Sequence, residues 1–195
     1  MHARNAVAMI NSPLFFCLPK TPACTLRRLK VRIHGIRIIP AYYAQRGTAM
    51  PEYVVSACLA GCHCRYDGNS TPDERVMQLV REGRALPVCP EQLGGLPTPR
   101  PPFELSNGRA MDSDGTDITA AMLKGVDEAM HLVQLAGCTK AVLKSRSPSC
   151  GFGIIYDGTF SGTRIAGSGL FAERLHLAGI AVVTEETMPS DTAHA

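Results

Sequence analysis

The sequence predicts an α/β domain in which a mostly parallel sheet is flanked by helices, a Rossmann-like three-layer fold with a small β-hairpin insertion. Short apolar segments rich in β-branched residues alternate with longer segments that carry apolar residues at helical spacing. This alternation is typical of a parallel sheet covered on both faces. The 195 residues are 45% hydrophobic and 19% charged, which suits one domain with its own core and excludes an intrinsically disordered chain.

Four segments have the apolar, β-branched pattern of buried strands. The predicted strands cover residues 53–58, 85–89, 139–143 and 180–183. The predicted helices cover residues 71–83, 117–137 and 167–179, and each ends at a glycine. Thr71 is the expected N-cap of the first helix, because Pro72 follows it at the favoured first helical position. Asp117 is the expected cap of the second helix.

Two further segments connect these elements. Residues 90–105 are rich in proline but keep the apolar residues Leu93, Leu96 and Phe103, so we expect a rigid loop without regular structure that lies over a site. Residues 154–160 carry Asp157-Gly158 between β-formers, which predicts a small hairpin. We expect the chain to fray from Glu185 and to form a flexible tail over residues 188–195.

The charge is unevenly distributed along the chain. Residues 1–50 contain eight Lys or Arg and no acidic residue, whereas residues 51–195 contain 12 Lys or Arg and 17 Asp or Glu. We expect residues 1–49 to be a basic extension that is disordered or not translated, with Met50 as a plausible start. The domain itself is slightly acidic, so we expect no stable nucleic-acid partner; RNA binding through the basic segment is an alternative.

Three of the eight cysteines follow predicted strands. Cys58 and Cys89 end the first and second strands, and Cys150 lies in the loop that leaves the third. Neighbouring parallel strands lie about 4.8 Å apart, so three thiols at one sheet edge come within reach of one centre. The domain is large enough to fold without disulfides, and it has no secretory signal and no apolar run of membrane-spanning length. We therefore expect reduced thiols in a cytoplasmic protein.

Thiolates at one edge are typical ligands of zinc, copper(I) or an iron–sulfur cluster. With three protein ligands, a [4Fe-4S] cluster has one iron open to act as a Lewis acid. A structural zinc needs four ligands, and here Cys62, His63 or Cys64 could complete a set with Cys58 and Cys89. Any single cysteine could instead be a small buried residue that only packs in the core, and this is our interpretation of Cys138.

Several polar residues accompany these thiols. Glu91, in a proline-rich setting after Cys89, is a candidate proton-transfer group because partial burial raises the pKa of a carboxyl group. Alternatively, Glu91 is a solvated acidic residue in a loop, without a role in proton transfer. Ser147 is a candidate hydrogen-bond donor to a substrate, or only a turn residue. Basic residues nearby could hold an anion or balance local acids: Lys144, Arg146 and Arg100.

The motifs occur in the order expected for one known family. These motifs are Val55-Ser-Ala-Cys58-Leu-Ala-Gly61, Cys64-Arg-Tyr-Asp-Gly68, Pro87-Val-Cys-Pro-Glu91, Gly94-Gly-Leu-Pro-Thr-Pro-Arg-Pro101, Leu143-Lys-Ser-Arg-Ser-Pro-Ser-Cys-Gly151 and Tyr156-Asp-Gly-Thr159. Through them the chain resembles the domain-of-unknown-function-523 family, which includes the thiouracil desulfidases, over about residues 51–187.

The resemblance implies a catalytic domain over residues 50–187 that removes sulfur as hydrosulfide from a small thiolated pyrimidine such as 2-thiouracil. It implies a [4Fe-4S] cluster held by Cys58, Cys89 and Cys150. It also implies that Glu91 is the catalytic acid and base and that Ser147 contacts the substrate. A zinc-binding module without catalysis is the alternative from the residues alone, and the residues carry no signal for an oligomeric state.

Overall fold

The computed structural model describes residues 50–189. The strands are β1 (Tyr53–Ser56), β2 (Ala85–Val88), β3 (Phe103–Ser106), β4 (Arg109–Asp112), β5 (Lys140–Leu143), β6 (Ile154–Tyr156), β7 (Arg164–Ala166) and β8 (Ala181–Thr184). The helices are α1 (Glu74–Arg81), α2 (Pro90–Leu93), α3 (Thr119–Ala136) and α4 (Leu170–Leu177). The expectations for residues 1–49 and 190–195 lie outside this part of the chain.

The central element is a four-stranded sheet in the order β2-β1-β5-β8, and all its neighbouring strands are parallel. β1 lies in the middle: Tyr53 is in register with Ala85 on one side and with Lys140 on the other. Two small antiparallel pairs, β3–β4 and β6–β7, lie outside this sheet. The predicted α/β class, with a mostly parallel sheet and a hairpin, is confirmed.

Apolar side chains cover both faces of the sheet. Val54 of β1 belongs to the core on the α3 and α4 side, with Val126 and Phe171. Tyr53 and Val55 belong to the core on the α1 side, with Val76 and Leu79. Successive side chains of a strand point to opposite faces, so one apolar strand contributes to both cores and the helices form two outer layers. Between residues 50 and 189, no helix is both long and apolar enough to cross a membrane.

The first helix begins later than the sequence predicts. Asp73, not Thr71, is the N-cap of α1, and its Oδ1 accepts hydrogen bonds from the backbone N–H groups of Arg75 and Val76 at 2.9 and 3.4 Å. The predicted cap at Thr71 is therefore wrong. Asp117 is one residue outside the observed cap position of α3, but its Oδ1 accepts the N–H of Thr119 at 2.9 Å and stabilises that end of the helix.

Residues 90–105 are more regular than predicted. The segment begins with the helical turn α2 and ends in β3, which pairs with β4 across Asn107 and Gly108. Both turn residues have positive φ, 49° and 76°, as expected for the Asn-Gly turn that joins two strands of a tight hairpin. The sequence therefore contained the signal for this hairpin, and the expectation of an irregular loop through Phe103 and Leu105 is wrong.

The second hairpin and the C-terminal segment also differ from the predictions in detail. β6 pairs with β7, so residues 157–163 form a longer loop and the return strand does not follow Asp157-Gly158 directly. The expected fraying from Glu185 is wrong for the described residues. Glu185 accepts hydrogen bonds from Lys144 and Ser145, and Met188 is buried in the α1-side core.

Glycines allow α2 to lie directly on α3. A Cβ added at Gly125 would lie 1.9 Å from the carbonyl oxygen of Pro90 and 2.6 Å from the backbone nitrogen of Gly94. Gly94, at the end of the other helix, lies at the same contact, because a Cβ there would lie 2.3 Å from the carbonyl oxygen of Ala121. The backbones of the two helices are thus in contact, and this contact fixes the position of Glu91 within α2.

We predict that Gly125→Ala lowers the free energy of unfolding by about 1–3 kcal/mol, because the new methyl group forces two backbones apart. Urea unfolding followed by circular dichroism measures this loss. Lys124→Ala, at an exposed position on the same helix, is the control and should change the free energy by less than about 0.5 kcal/mol. Equal stability of the two variants would contradict the close contact.

Candidate active site

A cavity of about 640 Å³ opens where the chain leaves the carboxyl ends of β1, β2 and β5. From β1 the chain adds β2 on one side of the sheet, and it then adds β5 and β8 on the other side, so the strand order reverses between β1 and β5. Open α/β sheets bind ligands at such a point. The cavity is lined by all five residues predicted to form the site, together with one more cysteine. These residues are Cys58, Cys64, Cys89, Glu91, Ser147 and Cys150.

The turn after β1 brings Cys64 next to Cys58. The backbone N–H of Cys62 donates to the carbonyl of Ala57 at 3.0 Å, which folds the turn back on itself. Cys58 and Cys64 are both buried, and the Cys64 thiol interacts with the sulfurs of Cys58 and Cys89. Cys64 is therefore the central member of a group of three thiols.

These contacts make the three thiols unequal. The hydrogen bond from Cys64 lowers the pKa of Cys58 to about 7, although burial opposes the shift. Cys64 also lowers the pKa of Cys89, with help from the backbone N–H of Gln92. The pKa of Cys64 itself is raised by its two thiol neighbours. Both shifts favour the thiolate form of Cys58 and Cys89, which is the form that binds metals.

Ser147 organises the loop that carries Cys150. Its Oγ accepts hydrogen bonds from the backbone N–H groups of Ser149 and Cys150 at 3.2 and 3.1 Å. The loop lies tightly against the start of α4, because a Cβ at Gly169 would lie 2.5 Å from the carbonyl carbon of Ser149. Burial raises the pKa of Cys150. Since the Ser147 oxygen serves as acceptor, its hydroxyl hydrogen is available to a molecule in the cavity.

Glu91 is a buried carboxylate with a single cationic partner. Nε and Nη2 of Arg100 both donate to its Oε2, and the side chains are 4% exposed for Arg100 and 15% for Glu91. Arg100 also donates to the carbonyl of Cys64 at 3.0 Å, so it connects Glu91 to the thiol turn. Burial raises the pKa of Glu91, although Arg100 acts against the shift. Oε1 receives no hydrogen bond from the described residues, and Glu91 is one of the residues that line the cavity.

The other basic residues predicted near the site also have carboxylate partners. Lys144 pairs with Glu185, and Arg146 pairs with Glu186. Arg65, which also lines the cavity, pairs with Asp67 at 3.3 Å. The sequence left open whether Lys144, Arg146 and Arg100 hold an anion or balance local acids, and in the structure each is paired with a carboxylate.

Sequence reasoning did not assign the wall formed by the β6–β7 hairpin. Glu104 on β3 is 8% exposed and accepts hydrogen bonds from the backbone N–H groups of Gly158 and Phe160 at 2.9 and 3.0 Å. These bonds hold the 157–163 loop so that Phe160 and Arg164 line the cavity. The Asp-Gly signal located the hairpin, but no local pattern shows which cavity a hairpin borders.

The remaining sulfur and imidazole groups lie away from the cavity. Cys138 is buried and its Sγ donates to the carbonyl of Tyr53 at 3.4 Å, as expected for a small core residue. Cys62 and His63 are exposed and do not line the cavity. The zinc-ligand set that includes either of them is therefore not assembled.

The fold and the cavity define an α/β domain with a thiol-lined pocket and a buried carboxylate at the carboxyl edge of its sheet. Residues 53–187 match the family model described as 2-thiouracil desulfurase. The chain is 39% identical over 145 residues to the uncharacterized protein YbbK of Bacillus subtilis (strain 168), an alignment that covers 69% of this chain and 96% of YbbK.

Similarity to a solved structure agrees with this match. The structure is that of the [4Fe-4S]-dependent thiouracil desulfidase TudS, at 43% identity and a TM-score of 0.68. The superposition covers 71% of this chain and 93% of the TudS chain. The chain belongs to the 2-thiouracil desulfurase family, so the resemblance seen in the sequence motifs is confirmed.

We predict that Arg100→Met lowers the free energy of unfolding by about 3 kcal/mol or more, because Glu91 is left buried without its partner. The double variant with Glu91→Gln should recover part of this loss, and chemical denaturation of the four proteins gives the coupling. Arg174→Met removes an exposed pair with Asp127 and is the control, with an expected change below about 1 kcal/mol. Strict additivity of the two site substitutions would contradict the interaction.

Proposed function

We propose that this protein is a [4Fe-4S]-dependent desulfidase that removes sulfur, as hydrosulfide, from 2-thiouracil or a related thiolated pyrimidine. The observation that carries the proposal is the convergence of Cys58, Cys89 and Cys150 on one cavity together with Glu91 and Ser147. Membership of the 2-thiouracil desulfurase family and the similarity to TudS support it.

The donor set suits an iron–sulfur cluster. Thiolate sulfur is the usual protein ligand of such clusters. The thiols of Cys58, Cys89 and Cys150 all line one cavity. Cys58, Cys89 and Cys150 are thus the residues that would hold the cluster.

A cluster with three thiolate ligands supplies an open iron that can act as a Lewis acid toward a thiocarbonyl sulfur. The net reaction replaces the C=S bond by a C=O bond, with water as the source of oxygen and with hydrosulfide and a proton as the other products. Glu91 can take the proton of the attacking water, because it lines the cavity and Arg100 holds its Oε2, while Oε1 has no hydrogen-bond partner among the described residues.

Ser147 has the complementary role of orienting the substrate. Its oxygen accepts hydrogen bonds from two backbone N–H groups, and its hydroxyl hydrogen can be donated to a ring oxygen or nitrogen. Three basic residues near the cavity, Lys144, Arg146 and Arg65, are already paired with carboxylates. The site therefore suits a small heterocycle that is bound by hydrogen bonds and burial, with Arg164 as a further cationic group in the lining.

We further propose a cytoplasmic location and a domain that covers residues 50–187. All six cysteines among the described residues are free thiols, which suits a reducing compartment. The family match over residues 53–187 and the packed core over the same region support the domain limits.

We predict that anaerobic reconstitution with iron and sulfide gives a brown protein with about four iron atoms per chain. Cys58→Ala, Cys89→Ala and Cys150→Ala should each lose the cluster and the release of hydrosulfide from 2-thiouracil. Cys138→Ala, at a buried thiol outside the cavity, is the control and should keep both. One zinc per chain without iron or sulfide would favour the zinc-binding alternative. An intact, active cluster in any of the three variants would show that the substituted cysteine is not a ligand.

We predict that Glu91→Gln keeps the iron content and lowers kcat at least about 100-fold, because the substitution removes the proton-transfer group but preserves the shape of the side chain. Anaerobic assays of hydrosulfide release at saturating 2-thiouracil measure kcat. Glu128→Gln changes an exposed acid on α3 and is the control, with unchanged turnover expected. Full turnover by Glu91→Gln would exclude this carboxylate from the reaction.

A further inference from the structure

The hydroxyl group of Thr71 is buried without a partner. Among the side-chain nitrogen and oxygen atoms of residues 50–189, its Oγ1 is the buried atom that makes no hydrogen bond. Thr71 does not cap α1, because Asp73 has that role. A buried polar atom in a native fold normally has a partner, so an unpaired one indicates a missing ligand or a functional role.

Backbone hydrogen bonds place Thr71 beside the first predicted cluster ligand. The N–H of Thr71 donates to the carbonyl of Cys58 at 3.1 Å, and the N–H of Asp73 donates to the carbonyl of Leu59 at 2.9 Å. These bonds join the segment before α1 to the turn after β1. Cys64 contributes most to the lowered pKa of Cys58, and the hydroxyl of Thr71 contributes in the same direction. The two backbone hydrogen bonds therefore place the side chain of Thr71 at the turn that carries Cys58.

We propose that Thr71 is a positioning residue that donates a hydrogen bond to the Cys58 sulfur when this sulfur is a metal-bound thiolate. The proposal rests on the proposed function, since it requires a cluster ligated by Cys58. A thiolate is a much better acceptor than a thiol, so ligation gives the buried hydroxyl the partner that it lacks. Hydrogen bonds to ligand sulfurs are one of the factors that set the reduction potential of an iron–sulfur cluster.

The direction of the effect follows from electrostatics. A donated hydrogen bond withdraws electron density from the thiolate and stabilises the more negative, reduced cluster. Its removal shifts the midpoint potential to a more negative value. Ligand sulfurs without such support also release iron more easily, and loss of an outer hydrogen bond typically weakens metal binding 10–100-fold.

The test compares Thr71→Val with Thr71→Ser in the full-length holoenzyme. Val keeps the shape of the side chain and removes the hydroxyl, whereas Ser keeps the hydroxyl. We expect a more negative midpoint potential for Thr71→Val in redox titrations followed by electron paramagnetic resonance, and a wild-type potential for Thr71→Ser. We also expect a chelator to remove iron about tenfold faster from Thr71→Val.

Thr184→Val is the matched control, because it removes a buried threonine hydroxyl that lies near Thr187 at the end of β8. This variant should change stability and leave the potential unchanged. Thr71→Ala, which also removes the methyl group, should shift the potential in the same direction as Thr71→Val. A merely structural role for Thr71 would alter the unfolding midpoint and not the potential.

The outcomes separate this inference from the proposed function. A cluster that forms in the wild type and has the same potential in Thr71→Val and Thr71→Ala would overturn the hydrogen bond and leave the desulfidase proposal standing. Failure of the wild-type protein to assemble a cluster would overturn both. A midpoint potential that is shifted in Thr71→Val and unchanged in Thr71→Ser would establish the hydroxyl of Thr71 as a determinant of the cluster potential.

Discussion

The whole site depends on the hydrogen-bonded register of four parallel strands. Because β1 pairs with β2 on one side and with β5 on the other, the segments that follow these strands all leave the sheet at the same edge. Residues far apart in the sequence, such as Cys58 and Cys150, then line a single cavity. Apolar residues on both faces hold the strands in place, so the geometry of the cavity is set by the core and not by the loops alone.

Charge balance is the second property that shapes the cavity. Glu91 is buried only because Arg100 neutralises it, and Lys144 is paired in the same way with Glu185 near the end of the described chain. Removing a charge from water is unfavourable unless a partner compensates for it. The polar groups that line the cavity include thiols, the Ser147 hydroxyl and the Glu91 carboxylate, together with Arg164.

The sequence predicted the fold class and the four sheet strands, because strand periodicity and glycine stops are local signals. It also selected five candidate residues that line one cavity in the structure. The predictions were wrong where adjacent residues favour different local structures. Asp73, and not Thr71, caps the first helix. The Asn107-Gly108 turn joins two paired strands, although the first of them follows a proline-rich segment. Partners across the cavity, such as Arg100 for Glu91 and Glu104 for the 157–163 loop, require tertiary contacts that no local pattern encodes.

The position of Cys150 has a consequence for how the protein matures. Cys58 belongs to the turn after the first strand, whereas the loop of Cys150 rests on α4, and Glu185 beyond β8 secures Lys144 and Ser145 at its start. The thiols therefore meet only when nearly the whole domain has emerged from the ribosome. If Cys58, Cys89 and Cys150 bind one cluster, as we propose, the cluster can be completed only after nearly the whole domain has been synthesised, and an incomplete chain would leave its thiols exposed to oxidation.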